Sequence, residues 1–232
     1  MTGTGATANW HVHYVNARGK LDGLKSHVEA ALQDVYPRMS KICEPPAVDI
    51  LVEAVWNSSV IPERGHTGFV NEELVTLWLA PEHPKLTKNI GEPLARTVAH
   101  EMNHVMRFRA VDGPKTLGDT LVSEGLAGQF VKELFGNEPE LWEQALSRSE
   151  LRQYIELAKE NFESSASYRP NGNDLDLYEW MLGKGSLPLR LGYTLGYEIV
   201  GQYPEDHPNH SASGLLDQPS ADFKPALDKL SA

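Results

Sequence analysis

Residues 91–109 read GEPLARTVAHEMNHVMRFR and have the pattern of one long helix. Pro93 suits the first helical turn, because it has no backbone N–H to leave unpaired there. Apolar residues recur at helical spacing, at Leu94, Val98, Met102 and Val105. The residues around the central histidines are uncharged and mostly apolar, so we expect the helix to be buried on nearly all sides.

This helix carries the segment His100-Glu101-Met102-Asn103-His104. Side chains four residues apart lie on one helical face, so both imidazoles can reach one metal ion. Glu101 is placed to touch a metal-activated water, from which a carboxylate can take a proton. The alternative, two unrelated histidines on a surface helix, is disfavoured because unpaired polar groups are costly in an apolar setting. The segment therefore predicts one Zn²⁺ per chain and a metallohydrolase with Glu101 as its catalytic base.

A catalytic zinc usually has a third protein ligand, and Glu124 is the leading candidate. The longest zincin motif would need glycine at position 107 and histidine at position 110, where this chain has Arg107 and Ala110. In the next predicted helix, Glu124 is the only charge on an apolar stripe formed by Leu121, Gly128, Val131 and Phe135. A buried carboxylate needs a cation. Asp119 is the second choice, although a place in the first helical turn already explains it.

Two sets of residues resemble known metallopeptidases. The histidine pair, followed by Ser-Glu-Gly-Leu-Ala at 123–127, resembles the gluzincin arrangement. The segments 118–127 and Gly-Tyr-x-x-Gly-Tyr at 192–197 are similar to the "predicted Zn-dependent protease" family (domain of unknown function 2268), over roughly residues 70–205. The resemblance implies a zincin-like fold, one zinc, and a peptidase that acts on peptides or proteins.

The order of predicted elements, strands first and helices afterwards, indicates an α+β fold. We predict strands at 10–15, 47–55 and 74–80, and helices at 21–40, 91–109, 116–135, 139–160 and 188–203. Residues 56–68 and 164–174 are predicted loops, the latter flexible. We expect one zincin-like domain over 1–232, with a mixed sheet within 1–90 and helices with the zinc site within 91–232. Leu74–Ala80 would be the edge strand that pairs with an extended substrate.

Composition excludes several other classes of function. The chain has 21 basic and 32 acidic residues, a net charge of −11, so nucleic acid is not an expected partner. Cys43 is the single cysteine, which excludes an internal disulfide and a cysteine-based zinc site. No stretch is apolar enough for a membrane span or a signal peptide, so a cytoplasmic protein is expected.

The remaining candidate residues concern the tetrahedral intermediate. Tyr193, on the helix predicted at 188–203, is the preferred hydrogen-bond donor to its oxyanion, because a neutral phenol leaves no unpaired charge in an empty site. Tyr197 is its substitute, and Arg190 would be a substrate anchor or the partner of a buried acid. Both tyrosines have an ordinary alternative role in the core. The other histidines are interpreted as solvated or satisfied, at 11, 13, 66, 83, 207 and 210.

Two rival functions remain at this point. One is a zincin-shaped, zinc-binding interaction module without catalytic activity. The presence of Glu101 argues against it, because a structural site has no use for a base. The other rival is a helical protein that binds no metal.

Overall fold

The computed structural model describes residue 7 and residues 9–71, 73–136, 138–206 and 211–231. The chain forms two compact units, residues 1–106 and residues 107–232, and the helix Glu92–Val111 contributes residues to both. A four-stranded mixed sheet lies in the first unit, and the second is mainly helical. The predicted mixture of a sheet toward the N-terminus and helices after it is therefore confirmed.

The sheet has the order β1-β2-β4-β3. Its strands are β1 (Trp10–Val15), β2 (Val48–Ala54), β3 (His66–Asn71) and β4 (Leu74–Leu79). Strands β1, β2 and β4 are parallel, whereas β3 runs antiparallel to β4. The three parallel strands match the strands predicted from sequence to within one residue at each end.

Helix α1 (Lys25–Met39) connects β1 to β2, as a parallel pair requires a crossover. It buries one face, made of Val28, Ala31, Leu32, Val35 and Met39. Trp10 fixes the start of β1, since its indole N–H donates to the Pro46 carbonyl at 3.1 Å and its ring meets Tyr36 edge-on at 5.0 Å. The crossover helix was predicted, although it begins four residues later than expected.

The prediction that Leu74–Ala80 is the edge strand is wrong, because β4 lies between β2 and β3. The true edge on that side is β3, whose first residues were predicted to be loop. Its sequence, HTGFVN, contains a glycine and few apolar residues, so it gave little strand signal. β4 is apolar because it is flanked on both sides, with Val75, Leu77 and Leu79 fully buried.

The helices after the sheet are α2 (Leu86–Asn89), α3 (Glu92–Val111), α4 (Leu117–Phe135), α5 (Arg148–Leu151), α6 (Ile155–Asn161), α7 (Leu177–Leu182), α8 (Leu191–Asp206) and α9 (Ala226–Ser231). Two-residue strands, β5 (Ala166–Ser167) and β6 (Leu175–Asp176), pair in parallel around the predicted loop 164–174. Within the described parts of the chain, no helix combines the length and apolar character of a membrane span.

The single helix predicted at 139–160 is wrong. Residues 141–146 form turns, and a new helix begins after Ser147, whose hydroxyl and backbone N–H form a capping box with Glu150. Two acidic residues of this stretch are buried. Glu140 and Glu143 are 4% and 3% exposed, and the Glu140 N–H donates to a Glu143 carboxylate oxygen at 2.6 Å.

His66 was assigned to a loop, yet it is the first residue of β3 and is completely buried. Its ring Nε2 lies 3.0 Å from the Asn89 carbonyl, so this nitrogen carries the proton and donates. Burial lowers the pKa of His66 to about 4, helped by the positive charge of Arg64 and opposed by the bond to Asn89. His66 is therefore neutral in the folded protein at neutral pH.

We predict that His66 makes the protein less stable in mild acid. Because its pKa is about 4 when folded and 6.5 as a free group, its contribution is complete above pH 6.5 and is lost as the pH falls toward 4. The loss should approach about 1.4 kcal/mol of unfolding free energy per pH unit. His66→Gln should reduce this dependence in urea unfolding, whereas Gln33→Ala, at an exposed position that does not titrate, should leave it unchanged. Equal pH dependence in His66→Gln and the parent would contradict the prediction.

Candidate metal centre

Helix α3 is buried without a break from residue 94 to residue 105, as its sequence predicts. His100, Glu101 and His104 are only 9%, 6% and 6% exposed. The helix starts after Gly91, whose carbonyl accepts the N–H groups of Leu94 and Ala95. Polar groups in such a setting are costly unless satisfied, so the geometry of these side chains bears on both stability and function.

The two histidines direct the same ring nitrogen to one point. His100 Nε2 and His104 Nε2 lie 3.1 Å apart, and the rings are nearly perpendicular, at 83°. Two nitrogens that bind one tetrahedral zinc at about 2.0–2.1 Å are about 3.3 Å apart. The pair is therefore already spaced as zinc ligands are.

Glu124 completes a group of three ligand atoms. One ligand atom from each of His100, His104 and Glu124 lies within 4.8 Å of the others, and no other such group of three or more was found among the described residues. Two histidines and one glutamate are a donor set that catalytic zinc sites use, with a fourth position for water or substrate. The residues present thus fit the metal that the sequence predicts.

Glu101 lies directly beside the edge strand β3. A Cβ atom added to Gly68 would come within 2.7 Å of Glu101 Cγ and 2.8 Å of Glu101 Oε1, so only glycine fits at this position without a shift. Gly68 is therefore a site residue that sequence reasoning missed. A glycine in a short polar strand was the one available signal.

The hydrogen-bond register directs the backbone of Gly68 away from β4. The Ala80 N–H donates to the Gly65 carbonyl, and residue pairs alternate between bonded and non-bonded along an antiparallel ladder. Gly68 pairs with Leu77 in the non-bonded class, so its N–H and C=O point to the open side of the strand. Its oxygen accepts the Thr67 hydroxyl at 3.4 Å, and a carbonyl has a second lone pair for another donor.

Helix α4 starts with a capping box between Thr116 and Asp119. Desolvation raises the pKa of Asp119, but hydrogen bonds from Ser220, Lys115 and Thr116 outweigh it and hold this pKa below its usual value. Asp119 is thus an ionised cap, and the three-residue group contains Glu124 in its place. The second-choice ligand is not supported.

Helices α4 and α8 approach closely through small residues. A Cβ atom at Gly125 would overlap with the Gly196 carbonyl, and one at Gly196 would overlap with the Leu121 carbonyl. Gly125 directly follows Glu124, so the backbone next to the candidate ligand is held against α8.

Tyr193 lies on α8, and its side chain is hydrogen-bonded to Tyr168. Desolvation and the negative charge of Glu124 raise the pKa of Tyr168, although the Tyr193 bond opposes this. Tyr168 is therefore close to the carboxylate of the candidate ligand and stays protonated at neutral pH, and Tyr193 is hydrogen-bonded to it. Tyr168 was missed from sequence, because it follows β5, 44 residues beyond Glu124.

The other predicted donors have different positions. Tyr197 is 9% exposed, in keeping with its alternative core role. Arg190 was expected on the helix face of Tyr193, but it precedes α8 with φ of +69°, so this expectation is wrong. The Leu191 N–H donates to the Pro188 carbonyl in a turn, and the helix begins at Leu191 rather than at the predicted residue 188.

Arg107 is a buried cation that sequence reasoning used only to exclude a motif. It is 1% exposed and donates to the Ser123 hydroxyl at 3.3 Å and the Ser220 hydroxyl at 3.0 Å. It also donates to the carbonyls of Leu216 and Gln218. Burial lowers the pKa of Arg107 to about 10, against the charges of Asp119 and Asp217, so it stays charged at neutral pH. Arg107 thus ties the residue before Glu124 to the segment 216–220.

The remaining histidines are placed outside this group. His11 and His13 are exposed on β1, and His13 lies 2.6 Å from Asp49. His83 is in a turn, where its Nδ1 accepts the Lys85 N–H. His207 and His210 lie outside the described residues.

The chain is thus an α+β protein with a buried candidate metal-binding group. The model of the family described as "Predicted Zn-dependent protease (DUF2268)" matches residues 28–224, and the chain belongs to this family. No solved structure matches the chain.

Two relatives come from Bacillus subtilis (strain 168). "Uncharacterized protein YjfC" is 29% identical over 164 residues, which make up 62% of this chain and 50% of YjfC. "Uncharacterized protein YjaZ" is 25% identical over 203 residues, 70% of this chain and 76% of YjaZ. The match therefore spans half the length of YjfC.

We predict one bound zinc per chain and its loss in His104→Ala. The parent protein and His11→Ala, a control with an exposed histidine, should retain zinc through dialysis, as measured by elemental mass spectrometry. Zinc that binds the folded state should also raise the unfolding temperature of these two proteins, and not that of His104→Ala. Stoichiometric zinc with unchanged affinity in His104→Ala would exclude it as a ligand.

We also predict that Arg107→Ala lowers the free energy of unfolding by about 3–5 kcal/mol, because it leaves buried acceptors without a donor. Arg152→Ala, at an exposed position, should change it by less than about 0.5 kcal/mol. Chemical denaturation with and without zinc measures both effects. An Arg107→Ala protein as stable as the Arg152→Ala control would show that the network has no structural role.

Proposed function

We propose that the protein is a zinc-dependent peptidase, in which His100, His104 and Glu124 bind one zinc and Glu101 is the general base. The observation that carries the proposal is the convergence of three ligand atoms within 4.8 Å, next to a buried carboxylate. Membership of a family described as predicted zinc-dependent proteases supports the same reaction. In this proposal the chain is one zincin-like domain of the gluzincin type. Its location in the cytoplasm stays a prediction.

When bound, zinc would lower the pKa of a water at the open position and polarise the carbonyl of the scissile bond. Glu101 accepts a proton from the attacking water, while the oxygen of that water forms the new C–O bond to the carbonyl carbon. Glu101 then returns the proton to the leaving nitrogen as the C–N bond breaks. The products are a carboxylic acid and an amine, so one water is consumed per bond.

The edge strand β3 supports a peptide as the substrate. An extended peptide can add to an open strand edge through backbone hydrogen bonds. The outward N–H and C=O of Gly68 offer such a pair beside Glu101. In this arrangement, the strand that pairs with the extended substrate is β3 and not Leu74–Ala80.

Tyr193 remains the proposed donor to the oxyanion of the tetrahedral intermediate. Its hydrogen bond to Tyr168, itself close to the Glu124 charge, supports a position near the reacting carbonyl. A protonated phenol can turn from Tyr168 to the oxyanion as negative charge develops. Tyr168 would then orient Tyr193 in the empty site.

We predict that Glu101→Gln keeps zinc and loses activity. Glutamine matches the shape of the carboxylate but cannot take the proton, so turnover should fall by roughly 10²–10⁴-fold. Mass spectrometry of a mixed peptide pool, incubated with the zinc-loaded proteins, measures new termini over time.

Two control variants separate loss of the base from loss of the metal and from a general effect of replacing a glutamate. The His104→Ala protein should be inactive for want of metal, and Glu82→Gln, at an exposed glutamate, should be fully active. Turnover of Glu101→Gln within a few-fold of the parent would rule out Glu101 as the base. A zinc-loaded parent that cleaves no peptide would favour the inactive interaction module.

Our prediction for the phenols is that Tyr193→Phe lowers kcat by about 10-fold or more, with zinc content and folding intact. Tyr168→Phe should have a smaller effect, because it acts only through Tyr193. Tyr154→Phe is the matched control and should be neutral. An unchanged kcat in Tyr193→Phe would move the donor role elsewhere, and loss of folding would assign Tyr193 to the core.

A further inference from the structure

A cavity lies in the sheet-containing unit, at the carboxyl ends of β1 and β2. It has a volume of about 360 Å³ and is lined by the residues that follow these two strands, including Val15, Arg18, Lys20, Ala54, Val55 and Trp56. This size is in the range of small-molecule pockets. None of these residues belongs to the candidate metal centre.

The cavity is basic in an acidic protein. Arg18 and Lys20 line it, no acidic residue does, and the whole chain has a net charge of −11. Asp22, two residues after Lys20, accepts the Asn16 amide at 2.6 Å and lies 3.8 Å from Lys25, and it is not among the lining residues. The side chains that line the pocket therefore carry a net positive charge.

Its apolar wall is unusually open to solvent. Trp56 is 77% exposed, the highest fraction among the large apolar side chains described, and Val15 is 53% exposed, third after Leu189 at 56%. The Lys20 ammonium lies 5.6 Å from the centre of the Trp56 ring. An exposed aromatic face beside cations marks a surface that contacts another molecule.

The position in the sheet is also typical of ligand sites. In sheets with parallel strands, ligands bind beyond the carboxyl ends of the strands. The residues 15–20 of the pocket precede residue 28, where the family match begins. Part of the pocket, residues 15–20, thus lies outside the region that matches the family model. The residues of the proposed peptidase centre all lie inside that region.

We propose that this cavity binds a small organic anion that carries a flat apolar ring. The guanidinium of Arg18 can bind a carboxylate or phosphate through two parallel N–H bonds, and Lys20 adds a point charge. The face of Trp56 stacks on the ring of the ligand, with Val15 at its edge. The ligand must have both parts. A simple anion would not contact the indole of Trp56, and a neutral ring would not form ion pairs with Arg18 and Lys20.

The test is calorimetric titration of the full-length protein with 2-naphthoate, its neutral analogue 2-naphthamide, and inorganic phosphate. At low salt, where surface charges are least screened, 2-naphthoate should bind at least about 10-fold more tightly than either comparison compound. The double variant Arg18→Gln/Lys20→Gln and the single variant Trp56→Ala should each weaken 2-naphthoate by about 10-fold or more. The double variant Lys85→Gln/Lys88→Gln removes the same charge from an exposed surface and should bind as the parent does.

Several results would overturn the proposal. These are no binding of 2-naphthoate, equal binding of 2-naphthamide, or parent-like binding by the Arg18→Gln/Lys20→Gln protein. Binding of a glutamate-rich peptide alone would also overturn it and point to a protein partner. Circular dichroism shows whether each variant is folded, and Trp56→Ala gives a test independent of charge. The Glu101→Gln protein should bind 2-naphthoate normally, so failure here is distinct from failure of the proposed peptidase.

Discussion

His100, Glu101 and His104 lie in residues 94–105 of helix α3, the part of this helix that is buried without a break. In an apolar interior such groups destabilise the fold unless each finds a partner of matching chemistry. A helix fixes the two imidazoles on one face and Glu101 about one third of a turn away. This constraint sets what the rest of the fold must provide: a carboxylate close to the two imidazoles, and a strand that leaves room for Glu101.

Helix α4 meets the first requirement through contacts on either side of Glu124. Arg107 holds the hydroxyl of Ser123, and Gly125 lies against the Gly196 carbonyl of α8. A buried guanidinium is tolerated here because its donors reach several oxygens of the segment 216–220. The same side chain that excludes the longest zincin motif is thus used to hold the helix that carries Glu124.

Strand β3 meets the second requirement. Its Gly68 makes space for Glu101, and the alternation of the antiparallel ladder directs the Gly68 backbone outward. These two properties coincide at one residue because β3 pairs antiparallel with β4 at the edge of the sheet.

The sequence by itself determined the local features of the protein. Periodicity predicted α3, α4 and the three parallel strands, and the i, i+4 spacing of His100 and His104 predicted a shared ligand point, because these patterns follow from the geometry of one helix or strand. It did not determine where β3 pairs, that a helix starts only after Ser147 in the stretch predicted as one helix at 139–160, or that Arg190 precedes α8. Only the tertiary structure decided these points, as well as the nearness of Tyr168 to Tyr193 and of Gly68 to Glu101. Such contacts join residues far apart in sequence, and their free energies depend on which surfaces are buried together rather than on any local pattern.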